Sequence, residues 1–262
     1  MPQIDRLDPD KIKANLKTKR IGKKILVFKS TSSTNNIAAE YAKNKNNDGL
    51  VIFAEEQTKG RGRAGAEWFS KPYLSILCSL LLADTKCTPE TLSLTSAIAV
   101  AETIGKPANI HAQIKWPNDI ILNKKKVAGI LLESKQINDT LFYILGIGIN
   151  CHQNKNSFPS ELKNNATSID IESSTVCDRI ILAKRLLTSI DHWLETAQKN
   201  SKIITQKWRR LSIQMGHRVK LLYNSKKFAG NCVGLDPEKG LILQLDTGGV
   251  RMFDAAHTTI VK

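Results

Sequence analysis

Apolar and polar positions along the chain follow two rhythms, and each predicts a class of element. Lys24 to Lys29 (Lys-Ile-Leu-Val-Phe-Lys) is a short apolar run with β-branched and aromatic residues, which predicts a strand. A polar cluster, Ser30 to Ser33, follows it. Thr34 to Ala42 then shows helical spacing behind a Ser/Thr start signal. Gly49 to Glu55 predicts a buried strand and Tyr73 to Leu82 a longer one. Leu92 to Ile104 carries Ala and Leu at helical spacing. Gln113–Trp116, Ile120–Leu122, Val127–Glu133 and Leu141–Ile149 predict strands separated by turns. Residues 154–174 are polar and loop-like. Asp178–Trp193 and Ile203–Leu211 predict two helices, and Asp8-Pro9-Asp10 with Ile12 and Leu16 predicts a lead-in helix.

Near Met215-Gly216 the character changes. Arg218–Tyr223, Phe228–Val233, Leu241–Leu245, Val250–Phe253 and Thr258–Val261 are short β-rich runs, with turn signals at Asp236–Gly240 and Asp246–Gly249. Five short strands in so little chain predict a small barrel. The expected division is residues 1–213 and 214–262.

Composition narrows the function classes. The 262 residues are 41% hydrophobic, enough for a real core. No apolar run approaches the roughly 20 residues needed to span a bilayer. Met1 to Lys24 is polar, without a signal-peptide segment. A soluble cytoplasmic protein with no membrane association is the expectation. The five cysteines (Cys78, Cys87, Cys151, Cys177 and Cys232) are odd in number, scattered and free of any C-x-x-C pair. That argues against a disulfide framework and against a zinc site. The net charge of +15 permits nucleic acid, phosphate-rich ligands or acidic proteins as partners. Many of the lysines are dispersed among asparagines, however, as on a solvated surface.

Five segments carry candidate chemistry. Gly60-Arg61-Gly62-Arg63-Ala64-Gly65, closely followed by Trp68, sets two guanidiniums among three glycines. Arginine offers a planar fork of donors for carboxylate or phosphate oxygens, so the run reads as a lid over an anion or as a basic surface turn. Ser33-Thr34-Asn35 reads as an N-cap or as the polar floor of a pocket. In Lys115-Trp116-Pro117-Asn118-Asp119 the proline ends a strand and projects Asn118 and Asp119 at a turn. Those residues suit an Asx turn, or a nucleotide with its magnesium. Lys126 opens an otherwise apolar strand through Glu133, as a surface residue or a ligand contact. Gly146-Ile147-Gly148-Ile149-Asn150 puts alternate glycines on one strand face, as a bulge or as a flat channel against backbone.

In order and spacing, these segments together with Gln57 resemble the biotin–protein ligases over nearly the whole chain. The resemblance implies an α+β fold: a mixed-sheet, class II aminoacyl-tRNA-synthetase-like catalytic domain followed by a small SH3-like β-barrel. It implies ATP-dependent activation of biotin as biotinyl-5′-AMP with Mg²⁺, then transfer to a lysine of a biotin carboxyl carrier protein. By the same resemblance, Ser33, Thr34, Asn35 and Gln57 serve the biotin head group. Gly60, Arg61, Gly62 and Arg63 cover biotin and its activated carboxyl, and Lys126 bonds carboxylate or adenylate oxygens. Lys115 and Asn118 face ATP phosphates, and Asp119 binds magnesium or orients the incoming amine. Gly129, Gly146 and Gly148 line the tunnel for the valeryl chain, with Asn150 near the adenylate. Ala64 and Ala66 stand where many members are basic, so a less tightly held adenylate is expected. About two dozen residues before the first core strand are too few for the winged helix-turn-helix of repressor members, so no specific DNA binding is expected. A monomer or homodimer is compatible with the resemblance. A lipoate–protein ligase and a nucleic-acid-binding module are the competing readings; the barrel runs lack the interleaved aromatics of a stacking platform.

Overall fold

The computed structural model describes residues 5–83, 85–108 and 110–261. Residues 1–4 and 262, at the two ends of the expected division, lie outside the described residues. Seven strands form one sheet: β1 (Ile25–Phe28), β2 (Val51–Ala54), β3 (Ser75–Ala83), β4 (Gln113–Lys115), β5 (Asp119–Leu122), β6 (Lys125–Ile137) and β7 (Thr140–Asn150). Their spatial order is β1-β2-β3-β7-β6-β5-β4. The β1–β2 pair is parallel and the other pairs are antiparallel, so the sheet is mixed.

Among the described residues six α-helices accompany it: α1 (Pro9–Lys13), α2 (Thr34–Tyr41), α3 (Pro89–Ala108), α4 (Ile169–Glu172), α5 (Arg179–Lys199) and α6 (Ser201–Leu211). Side-chain caps fix several of their starts. Asp8 accepts from the Asp10 and Lys11 amides, and Asp178 from that of Ile181. Asn200 is extended, which breaks α5 from α6, and its side chain caps the second helix.

Period-two alternation sends the strand residues to opposite faces. Val51 and Phe53 of β2, with Ile76, Cys78, Leu80 and Leu82 of β3, join one large cluster with residues of α3, α5 and α6. Ile52, Leu81, Phe142 and Ile144 face the other way, against Ala38 and Ala42 of α2 and its C-cap. Both faces are covered, so the central strands read as continuous apolar runs. On the α2 face of β7, the row Phe142, Ile144 continues as Gly146, Gly148. The row of apolar side chains on β7 therefore ends there, and other elements approach the backbone instead.

Five further strands, β8 (Arg218–Tyr223), β9 (Lys226–Asp236), β10 (Gly240–Leu245), β11 (Val250–Phe253) and β12 (Thr258–Val261), form a separate antiparallel sheet. Its order is β11-β10-β9-β8-β12. All five match the predicted runs in place, although β9 is longer. The β6–β7 hairpin also exceeds expectation. It extends to the Ile137–Thr140 pairing, because ladder hydrogen bonds to β7 carry the polar residues Ser134, Lys135 and Gln136 into the strand. The polar stretch 154–174 holds one short helix, α4, whose N-cap Ser168 accepts from the Ile171 amide.

A buried ionic cluster, not anticipated from sequence, ties the N-terminal segment to the sheet. Arg179, the first residue of α5, is fully buried. It donates from Nε to Asp5 (2.7 Å) and from Nη1 to Glu55 at the end of β2 (2.6 Å) and to the Ser75 carbonyl (3.1 Å). His152 lies 2.7 Å from Asp170 and 3.2 Å from Asp5. Burial pulls the His152 imidazolium down, but hydrogen bonds and charge from Asp170 and Asp5 outweigh it and raise the pKa to about 9. Burial pushes the Asp5 carboxyl up, yet His152 and Arg179 outweigh it and hold the group at about 2. A raised histidine stabilises fully below its ordinary pKa of 6.5, and that contribution fades as pH rises through about 9. The lowered Asp5 contributes above 3.8 and fades as pH falls toward 2. His152→Gln is therefore expected to flatten the fall of Tm between pH 6.5 and 9, as read by circular dichroism melts. An unchanged slope would mean that His152 is not the titrating group.

Candidate active site

The α2 face of the sheet holds a cavity of about 260 Å³. Its walls come from the start of α2, the Gly/Arg loop, the Lys115–Asp119 turn, β6, β7 and β12. Four cations, Arg61, Arg63, Lys115 and Lys126, line it against two carboxylates, Glu67 and Asp119. Such a lining favours an anionic ligand.

At the floor, Ser33 occupies the N-cap position of α2 but makes no side-chain cap bond. Gln57 caps the helix instead, and its Oε1 accepts from the Thr34 amide (2.7 Å) and hydroxyl (2.9 Å). Ser79 of β3 lies 2.7 Å from Thr34 Oγ1 and 2.5 Å from Asn35 Oδ1. Ser79, Thr34 and Asn35 are buried and polar, and their mutual bonds fix the rotamers of the floor.

The Gly/Arg segment folds back on itself as a short hairpin. The backbones of Arg61 and Glu67 face each other as an isolated antiparallel bridge, the Gly62 amide donates to the Ala66 carbonyl, and the Trp68 amide donates to that of Gly60. Ala64 sits at the tip with φ 52°. The hairpin delivers the Trp68 ring onto the sheet. A Cβ added at Gly148 would collide with that ring, and one at Gly129 would stand 2.9 Å from it. A Cβ at Gly146 would meet Asn35 Oδ1 at 2.5 Å. The flat channel expected over these glycines is thus partly filled by this chain's own side chains, because missing Cβ atoms let Trp68 and Asn35 seat against backbone.

The two loop arginines diverge. Arg61 pairs with Glu133 (3.1 Å) and donates to Asn36 Oδ1 (2.6 Å). Arg63 donates to Asn118 Oδ1 (3.3 Å) and to the Ala255 carbonyl between β11 and β12. Burial pulls the Arg63 pKa down against the raising influence of Asp119. The Lys115–Asp119 turn is held from both sides. Gln214 bonds the Trp116 amide and carbonyl, while the Asn118 side chain donates to the Ile130 carbonyl. Trp116 itself is core. Lys126 Nζ lies 2.6 Å from Asp119 Oδ1 and 5.5 Å from the Trp68 ring centroid.

Most of the expected site residues converge on this cavity: Ser33, Thr34, Asn35, Gln57, Arg61, Gly62, Arg63, Lys115, Asn118, Asp119, Lys126, Gly129, Gly146 and Gly148 all line it. Gly60 lies on the outer cleft instead, and its role is to let the Trp68 carbonyl approach. Asn150 is not brought to the cavity. Its side chain donates to the Thr167 carbonyl and accepts from Gln153, which ties the end of β7 to the following loop. Sequence reasoning missed Thr258, Thr259 and Ile260, which close the cavity from the second sheet. No local signal marks them, since they read as an ordinary edge strand.

The biotin/lipoate A/B protein ligase family model matches residues 27–150, the span of the seven-stranded sheet's main strands. The bifunctional ligase/repressor BirA of Bacillus subtilis is 32% identical over 255 residues, covering 95% of this chain and 78% of the relative. The chain belongs to the biotin/lipoate A/B protein ligase family. A second relative of this ligase family, the biotin–[acetyl-CoA-carboxylase] ligase of Mycobacterium tuberculosis, is 29% identical and is covered to 95%, as is this chain. Among solved ligases, the Aquifex aeolicus biotin protein ligase in complex with biotin and ATP superposes with a TM-score of 0.79 at 29% identity. The match covers 92% of this chain and 99% of that one.

In a ligase built this way, Gly148 is the cavity glycine with the closest clash for an added side chain. Gly148→Ala is expected to displace Trp68 and raise the KM for biotin by about tenfold, since overpacking a tight contact costs about 1–3 kcal/mol. Steady-state kinetics against biotin check it, and an unchanged KM would show that the ring has room to shift.

Proposed function

We propose that this cavity condenses biotin with ATP to biotinyl-5′-AMP and pyrophosphate, and then passes biotin to a protein lysine. The supporting observation is the joining in one cavity of a polar floor, an apolar glycine and tryptophan wall, and four cations. That sequence of surfaces suits a neutral polar head, a hydrocarbon chain and an anionic end beside a triphosphate.

Both substrates are anionic and repel each other, so cations must offset the charge before a carboxylate oxygen can attack the α-phosphorus. Lys126 bonds the carboxylate, and later the acyl-phosphate oxygens. Lys115 and Asn118 hold the phosphates. Arg61 and Arg63 close the lid over the activated carboxyl and exclude water from a hydrolysable anhydride. Ser33, Thr34, Asn35 and Gln57 hold the head group, and Gly129, Gly146 and Gly148 with Trp68 flank the valeryl chain. The acceptor amine then attacks the acyl carbon and AMP leaves, so no covalent enzyme intermediate is needed.

Magnesium commonly takes one or two carboxylates and leaves its other positions to phosphate oxygens and water. Asp119, the carboxylate on the same turn as Asn118, fits that role. Among the described residues no group of three or more His, Cys, Asp or Glu could hold a metal, and a magnesium ion beside Asp119 would rely on the substrate's phosphate oxygens and water. When bound, magnesium neutralises charge on the triphosphate.

This reading takes residues 1–213 as a class II synthetase-like catalytic unit and 214–262 as an SH3-like barrel. Two sheets with no shared strand support the division. The acceptor is a biotin carboxyl carrier protein. Incubation with ATP, Mg²⁺, a carrier domain and labelled biotin or lipoate tests the function. Biotin transfer, read on a streptavidin blot, is expected; transfer of lipoate alone would overturn it.

A further inference from the structure

We propose that Glu133 is a positioning residue for the lid, and that with Asn35 it couples occupancy of the polar floor to closure of Arg61. The inference deepens the ligase reading and rests on it. Glu133 stands on β6, outside the cavity lining, and none of the roles above uses it.

Its carboxylate is shared between two partners. Oε2 accepts from Asn35 Nδ2 at 2.6 Å, and Arg61 Nη2 lies 3.2 and 3.1 Å from the two oxygens. Arg61 is held from its other nitrogen by Asn36, so the guanidinium spans α2 and β6. Behind Asn35 the chain of contacts continues through Ser79 to Thr34 and Gln57. A continuous path therefore runs from the floor to the first lid arginine when Ser79 gives its one hydroxyl proton to Asn35, the Thr34 hydroxyl donates to Ser79, and the Thr34 amide holds Gln57. Asn35 can sit at its centre because Gly146 leaves the space.

The physical consequence concerns where the Asn35 amide and the Arg61 fork point. Charge-assisted bonds are stronger and more directional than neutral ones, and neighbouring bonds in a chain polarise one another. A ligand that engages Thr34 or Gln57 stiffens Asn35, which fixes Glu133, which in turn fixes Arg61. Without the carboxylate, the Arg61 side chain keeps only Asn36 among the described residues, and the hairpin from Gly60 to Trp68 loses its ionic tie to β6, leaving the Trp68 ring packed on Gly129.

Hydrogen exchange tests this without substrate. The Gly62 and Trp68 amides are bonded inside the hairpin and report its opening. In ligand-free protein, Glu133→Gln is expected to speed exchange over residues 60–68 by about fivefold, with Tm little changed, as for the loss of a half-exposed charge pair. In biotin-dependent pyrophosphate exchange, the same variant should raise the KM for biotin about fivefold and leave the KM for ATP within about twofold. In an Arg61→Ala background, Glu133→Gln should add nothing, because its effect travels through that side chain. Unchanged loop exchange, or additive losses in the double variant, would overturn the proposal. If wild type shows no biotin-dependent exchange while the loop still loosens in Glu133→Gln, the ligase reading fails and the positioning of Arg61 stands.

Discussion

Lys126→Ala is expected to lower biotin-dependent pyrophosphate exchange by about 10²–10³-fold while the protein stays folded, the range found when one preorganised donor to a developing charge is removed. The geometry explains why the loss should be large. Lys126 is set at the mouth of β6, where its backbone amide donates to the Asn165 carbonyl and its carbonyl accepts from Thr167. The ammonium is thereby fixed between the Asp119 carboxylate and the face of Trp68. It is partly exposed, so deleting it leaves no buried charge unpaired and stability should change little. Arginine at the same position would keep the charge but not the compact ammonium that fits beside Gly129. Circular dichroism of the variant beside its exchange rate separates the chemistry from the fold. Activity near that of wild type would remove Lys126 from the adenylation step.

For Arg179→Met the loss is in stability. Its guanidinium is fully buried and satisfies Glu55, itself almost completely buried, together with Asp5 and the Ser75 carbonyl. Removing one partner of a buried pair strands the other, at a cost of about 3–5 kcal/mol. In a chain of this size that lowers Tm by roughly 10 °C. Glu55 also accepts from the Leu7 amide, so the N-terminal segment should detach with it. Thermal melts and exchange of the Leu7 amide report both effects. The double variant Arg179→Met with Glu55→Leu should recover part of the loss, because it removes the buried carboxylate left unpaired, although the Leu7 amide loses its acceptor. A Tm drop of only a degree or two would show that water reaches Glu55.

Much of the fold was legible from the sequence, for a simple reason. The central strands of the larger sheet are covered on both faces, so they read as apolar runs. The helices over them carry 3.6-residue periodicity and Ser, Asp or Asn caps. Even the short strands of the second sheet are bounded by turn residues. The errors lie where pairing extends a strand past its apolar part, as in β6, or where one polar side chain nucleates a turn, as Ser168 does for α4.

For the site, the sequence by itself determined the inventory: two arginines among glycines, a lysine at a strand mouth, an Asn-Asp turn after proline and a row of strand glycines. Each is a local chemical requirement, and local requirements are written in consecutive residues. Which side chains meet was decided only by the tertiary structure. Trp68 lands on Gly129 and Gly148, Arg61 on Glu133, and Arg63 on the Ala255 carbonyl of the other sheet. Asn150 turns away from the cavity to hold a loop, and Arg179 closes a buried cluster with Asp5 and Glu55. Those contacts join positions tens to nearly two hundred residues apart. They follow from strand register and helix packing, which a single sequence records only as a pattern of burial.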